Sequence, residues 1–145
     1  MFVSRFEYQN IYIARNGDLM PKFIPGQVWE YQTREGEEDS RLIVLQVDET
    51  KQDGVIVHIK VEGVNIPNPA MPQLPVNVIG FMPIVEASLE ESVTKLVSSE
   101  ESYSPPEDFS EGYKGWKSAF DDGKAGIWTS PVAKVVQNLE DGARS

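Results

Sequence analysis

The chain has 145 residues, about one ordinary domain, and its 40% hydrophobic content with three Trp, five Tyr and six Phe suffices for a packed core. A net charge of −10 argues against non-specific nucleic-acid binding and against adhesion to anionic membranes, both of which depend on clustered Lys and Arg. The lack of cysteine removes disulfides, thiolate metal sites and cysteine nucleophiles together.

The acidity is spread. Residues 1–85 carry 7 basic and 11 acidic groups, and residues 86–145 carry 6 and 12. Such a surface keeps a protein soluble and attracts basic partners. The opening "MFVSRFEYQNIYIARNGDLM" has no continuous apolar core of a secretory signal, and no run approaches the ~20 apolar residues that span a bilayer. A cytoplasmic location is expected. Strong patterning begins after Met20, so residues 1–24 read as an N-terminal extension to a single domain over 25–145.

The first part of that domain, 25–85, is rich in strands. "PGQVWEYQ" pairs a Pro-Gly turn signal with Val28, Trp29 and Tyr31, which suit a pleated surface. "RLIVLQVD" is apolar through its middle, as in a strand covered on both faces. In "GVIVHIKVEG", Val55, Val57, Ile59 and Val61 share one face, while His58, Lys60 and Glu62 point the other way. The short connection "ETKQDG" ends in Asp-Gly and predicts a hairpin. A three-stranded meander from Gln27 to Val61 follows. "NIPNPAMPQLP" has too many prolines for a central strand and reads as an extended surface loop; Pro69, Pro72 and Pro75 recur at the spacing of a polyproline II helix. "VNVIGFMPIV" is a further strand, with Gly80 and Pro83 marking a bulge or an edge position.

Residues 86–145 read as helical. Ser88 and Glu91 form a capping box, followed by an apolar stripe of Leu89, Val93, Leu96 and Val97. Ser110 caps a second helix that places Tyr113, Trp116 and Phe120 on one face, stopping at Gly123. "GIWT" is a short strand that returns to the sheet. Ser130 and Pro131 open a last helix striped by Val132, Val135, Val136 and Leu139, with Gly142 closing it. The expected fold is α+β: a strongly bent antiparallel sheet or small SH3-like barrel of about five strands with two or three packed helices.

The segments "PGQVWEYQTREGEEDSRLIVLQVD", "VIVHIKVEGV" and "GYKGWKSAFDDGKAGIWTSPVAKVV" resemble a family of small, uncharacterised bacterial proteins over roughly Pro25 to Leu139. The resemblance implies a bacterial origin and a shared fold, and no site. A fainter similarity over Phe23 to Asp48 runs to the PemK/MazF-like toxins, small barrels that cleave RNA. It is a likeness of fold, which does not carry function.

Chemistry-bearing motifs are few. The single histidine, His58, lies on a strand beside Lys60 and Glu62, where it reads as a general base, a metal ligand or an ordinary sheet histidine. Neither a Gly-x-Ser-x-Gly elbow nor a nucleotide-binding glycine signature occurs. In "TREGEEDSR", Glu35, Glu37, Glu38 and Asp39 lack the spacing of a calcium loop. The segment reads as a hairpin loop whose Gly36 supplies a positive φ, with Arg34 and Arg41 placed to pair with its carboxylates. Two functions are expected from different classes. The first is a non-catalytic accessory or immunity-like factor that binds a basic protein through Arg34, Glu37, Glu38, Asp39 and Arg41, without cofactor or metal. The second is a hydrolase or RNA-cleaving enzyme using Arg34, a loop carboxylate and His58. Convergence of Arg34, His58 and an acid in one concavity separates the two.

Overall fold

A computed structural model describes residues 11–13, 19–21, 23–100 and 102–144. In chain order its elements are β1 (Ile11–Ile13), β2 (Leu19–Pro21), β3 (Gln27–Tyr31), β4 (Arg41–Thr50), β5 (Gly54–Ile66) and β6 (Val76–Val85). Helix α1 (Glu86–Ser92), strand β7 (Val93–Ser99) and helices α2 (Glu107–Asp121) and α3 (Val132–Arg144) follow.

The meander forms as the sequence predicts. The Asp53-Gly54 turn sets Thr50 opposite Gly54, with Gly54 at φ +70°, and β4 and β5 pair antiparallel from there. β3 pairs with β4, β6 lies outside β5, and β7 lies outside β3, giving a five-stranded antiparallel sheet of order β6-β5-β4-β3-β7. The sheet is α+β as expected, but it does not close into a barrel: β6 and β7 are its two edges. β1 and β2 form a separate two-stranded hairpin. Most of the expected extension 1–24 lies outside the described residues. Phe23, within that range, is buried in the core edge-on to Trp29 at 5.7 Å.

One face of the sheet carries α1 and α3, and the other is covered in part by α2. Leu42, Val44, Val57, Ile59, Val61, Met82 and Ile84 meet Leu89 of α1 and Val132, Val135 and Val136 of α3 in one buried cluster. Burial of each such side chain contributes roughly 1.5–3 kcal/mol. Helix α2 packs on the opposite face through Phe109, Tyr113 and Trp116, which meet His58 and Phe81. Among the described residues no helix is long and apolar enough to cross a membrane.

Several local expectations give way. The Ser88 capping box does not form: α1 starts at Glu86 after Val85, and Ser88 is buried inside it. Val93, Leu96 and Val97 belong to strand β7 instead of to a helix. Helix α2 begins three residues before Ser110, after Pro106. At the start of α3, the Ser92 hydroxyl accepts from the Val132 N–H at 3.0 Å and donates to Ser88 O at 2.8 Å. A serine 40 residues away thereby satisfies a helix terminus. Gly142 lies within α3, which runs on to Arg144. The proline segment is turned, not extended: Met71 N donates to Asn68 O at 3.1 Å and Leu74 N to Met71 O at 2.9 Å. The "GIWT" strand is reduced to one bridge, Trp128 to Ile84.

Candidate functional site

The loop between β3 and β4 consists of two successive turns. Glu37 N donates to Arg34 O at 3.1 Å, and Ser40 N donates to Glu37 O at 2.9 Å. The first turn brings the Arg34 and Glu37 side chains together in a bidentate pair, Nε to Oε1 at 2.9 Å and Nη2 to Oε2 at 2.6 Å. Nη1 of Arg34 then reaches α3, donating to Gln137 Oε1 at 3.1 Å and Glu140 Oε1 at 3.0 Å. Nη2 also reaches Asn65 O on β5 at 3.2 Å. A guanidinium has five N–H donors, and each of the five has an acceptor here. Asn65 N closes the circuit by donating to Glu37 Oε2 at 2.7 Å. Arg34 thus ties the loop, β5 and α3 together, beside a polar cleft of about 390 Å³ that Glu35, Gly36 and Asn65 also line.

The electrostatics follow from this geometry. Burial alone raises the Glu37 carboxyl, but the Arg34 and Asn65 donors outweigh it and hold it below its ordinary value. The bonds from Glu37 raise the Arg34 guanidinium, against desolvation and with help from Glu140. Glu140 spends its second oxygen on Arg144 Nη2 at 2.7 Å.

The second turn is anchored separately. Ser40 is buried, donates to Glu62 O at 2.6 Å and receives the Tyr31 hydroxyl at 2.6 Å. Arg41 faces back along the strands, donating to Glu38 O at 3.3 Å, Ser40 O at 2.8 Å and Glu30 Oε1 at 3.1 Å. Glu38 folds onto Gly36 N at 2.6 Å. Arg34 is turned inward and Arg41 lies back along the strands, so the outer surface of the loop carries exposed Glu35, Glu38 and Asp39. Two glycines permit this shape. Gly36 has φ +88° with open space around it, whereas Gly63 has φ +84° and would set a Cβ 2.9 Å from Ser40 Cα. Replacing Gly36 by Ala is expected to cost ~1–2 kcal/mol for the left-handed backbone. At Gly63 the same change adds an overpacking cost of ~1–3 kcal/mol. Urea unfolding of the two variants checks this, and equal losses would remove the close approach at Ser40 as a cause.

His58 occupies a different environment. It is fully buried, where its strand face had read as polar and open. A β-bulge at Leu45 produces the site: Val44 pairs with Ile59 but Gln46 pairs with His58, so the side-chain alternation of β4 inverts at that point. Gln46 and Asp48 therefore share the face of His58. Asp48 Oδ2 takes His58 Nε2 at 2.9 Å and the Tyr113 hydroxyl at 2.8 Å, while Oδ1 takes Gln46 Nε2 at 2.9 Å. The imidazole is stacked on Phe81 at 5.4 Å and edge-on to Trp116 at 4.7 Å.

The carboxylate on Nε2 assigns the proton to that nitrogen, leaving Nδ1 as a buried lone pair with no hydrogen-bond donor among the described residues. Burial lowers the His58 pKa and outweighs the pull of Asp48, so the ring is neutral at pH 7. Burial raises the Asp48 carboxyl, but Gln46, Tyr113 and His58 together bring it below its ordinary value. The Tyr113 hydroxyl is pushed up to about 12, first by burial and then by its bond to Asp48. An open cleft of about 180 Å³ reaches Asp48 beside Trp116 and Phe120.

The structure brings Arg34, Glu37, Glu38, Asp39 and Arg41 into one loop and leaves His58 out of it. Arg34 contacts α3 on one face of the sheet, and His58 lies under α2 on the other. Among the described residues no cluster of three or more His, Asp and Glu has metal-ligating geometry. Six residues of these networks were not singled out by sequence reasoning: Glu140, Gln137, Arg144 and Asn65 around Arg34, and Asp48 and Gln46 around His58. A signal for Glu140 existed, since it sits four residues after Val136 and eight after Val132, on the apolar stripe of α3. The chain matches no family model, no curated protein and no solved structure.

Proposed function

We propose that the protein is a non-catalytic binding factor, accessory or immunity-like, whose β3–β4 loop presents a fixed acidic surface to a basic protein partner. The observation that carries this reading is the saturation of Arg34. With all five donors engaged, the arginine serves as an internal brace and leaves Glu35, Glu38 and Asp39 as the outward groups. A surface held in place loses little side-chain and loop entropy on binding, which favours affinity. The enzyme alternative relied on Arg34 and His58 acting together. Their separation by the sheet, and the complete burial of His58, withdraw its geometric support. The same reading sets the protein in a bacterial cytoplasm, with the sequence resemblance and the cysteine-free chain as support.

The test compares the wild type with Glu35→Lys/Asp39→Lys, neither of which touches the Arg34 brace. Reversing two exposed charges, each worth ~0.5–1 kcal/mol in contact with a cation, should weaken partner retention from native lysate on the order of tenfold. Retention by the wild type should also fall as salt rises. Equal capture by both proteins, or capture indifferent to salt, would remove the acidic loop as the binding surface.

A further inference from the structure

The sheet edge formed by β6 has a character opposite to that of the loop. Residues 64–85 contain no Asp, Glu, Lys or Arg, although the chain as a whole has 36 such residues, 13 basic and 23 acidic. This stretch supplies the end of β5, the proline turns and all of β6. Exposed edges are ordinarily guarded by charges, prolines or a covering segment. The C-terminal half of β6 has such guards: Pro83 interrupts the donors, and Trp128 bonds to Pro83 O at 2.9 Å and accepts from Val85 N at 3.0 Å. Edge strand β7 at the other end carries Lys95. Among the described residues nothing pairs with the outer side of Val76–Gly80. The segment itself exposes Val76 at 40% and Val78 at 45%, and beside it lie Met71 at 50% and Leu74 at 60%.

We propose that Val76–Gly80 is a self-association edge, pairing antiparallel with the same segment of a second copy and joining two five-stranded sheets across a two-fold axis. Charge selects the occupant. A basic partner finds no carboxylate along this strip, whereas two chains of net charge −10 repel wherever charged surfaces meet. The long neutral strip is where two copies approach at least electrostatic cost. A two-fold axis also sets a patch against itself. An antiparallel strand pair meets that condition, satisfying main-chain groups in both copies and covering the valines of each. Pro75 and Pro83 bracket the segment and limit the pairing to it.

Sedimentation of the full chain at high micromolar concentration tests the proposal. The wild type should run at twice the chain mass, and Val76→Glu/Val78→Glu should run as the single chain with an unchanged far-ultraviolet circular dichroism spectrum. Added salt should tighten the wild-type dimer by screening the like charges, the opposite of its effect on acidic-loop binding. Amide exchange gives a measure independent of the variant: amides of Val76–Gly80 should exchange faster on dilution of the wild type. A wild type that stays a single chain, a dimer that survives both glutamates, or a dimer loosened by salt would overturn the assignment. None of these results bears on the Glu35/Asp39 comparison, which reads a different surface.

Discussion

Arg34→Ala is expected to lower stability by ~3–5 kcal/mol, the cost of leaving buried carboxylates without their cation. The arginine side chain is 16% exposed and that of Glu37 only 4%, so water entering from the adjoining polar cleft replaces the five donors only in part. The variant strands Glu37 and Glu140 together, and Glu140 retains Arg144 while Glu37 retains only the Asn65 N–H among the bonds described. Adding Glu37→Gln should therefore recover part of the loss, because an amide is far cheaper to bury than a carboxylate. Arg34→Lys should rescue little, since an ammonium cannot make the bidentate pair and reach α3 at once. Chemical denaturation of the three proteins measures this. A loss below about 1 kcal/mol would class the cluster with ordinary exposed pairs and would take away the brace on which the binding surface depends. The pH dependence has a definite sign. The Glu37 carboxyl lies below its ordinary 4.5 in the folded state, so its contribution is present above that value and is lost as pH falls through the folded one.

The parts of the fold that were legible in sequence are those where local rules operate undisturbed. Asp53-Gly54 and the alternation around His58 made the β4–β5 hairpin legible. The parts that were illegible contain bulges. β7 contributes Val93 and Leu96 to the core side, three residues apart, because its register against β3 shifts twice. Extra residues at Thr94 and Val97 turn a period of two into an apparent period of three. Together with Leu89 that spacing imitates a helical stripe. The bulge at Leu45 has the same concealing effect in β4, where a uniformly apolar run carries no phase that could reveal the inversion. Asp48 consequently stood outside the site reading. The acidic loop and its Arg34–Glu37 pair follow from its glycine and its arginines, but Glu140, the second carboxylate on Arg34, lies 106 residues downstream. A pairing at that separation follows from packing α3 on the sheet, which local spacing does not encode.

The acid response of the fold should run through His58. Its folded pKa lies below the ordinary 6.5, so as pH drops below 6.5 the unfolded chain takes up a proton that the folded chain refuses. Stability is therefore complete above about 6.5 and declines below it, with a limiting slope of ~1.4 kcal/mol per pH unit for one proton. The cause is structural: protonation puts an N–H on Nδ1, where no acceptor exists among the described residues, inside a cage of Phe81, Phe109, Tyr113 and Trp116. Asp48 and Glu37 act in the same direction only at lower pH, from 3.8 and 4.5 downward. This is the single histidine of the chain, which isolates its window. His58→Phe should keep the stacking and flatten the stability profile between pH 6.5 and 5. His58→Ala should cost about 3 kcal/mol at pH 7 by emptying the aromatic cage, in the range of other buried rings cut back to alanine. Denaturation midpoints across that pH range decide the matter. A flat wild-type profile, or a Phe variant that keeps the wild-type slope, would show that the buried lone pair is not what acid disturbs.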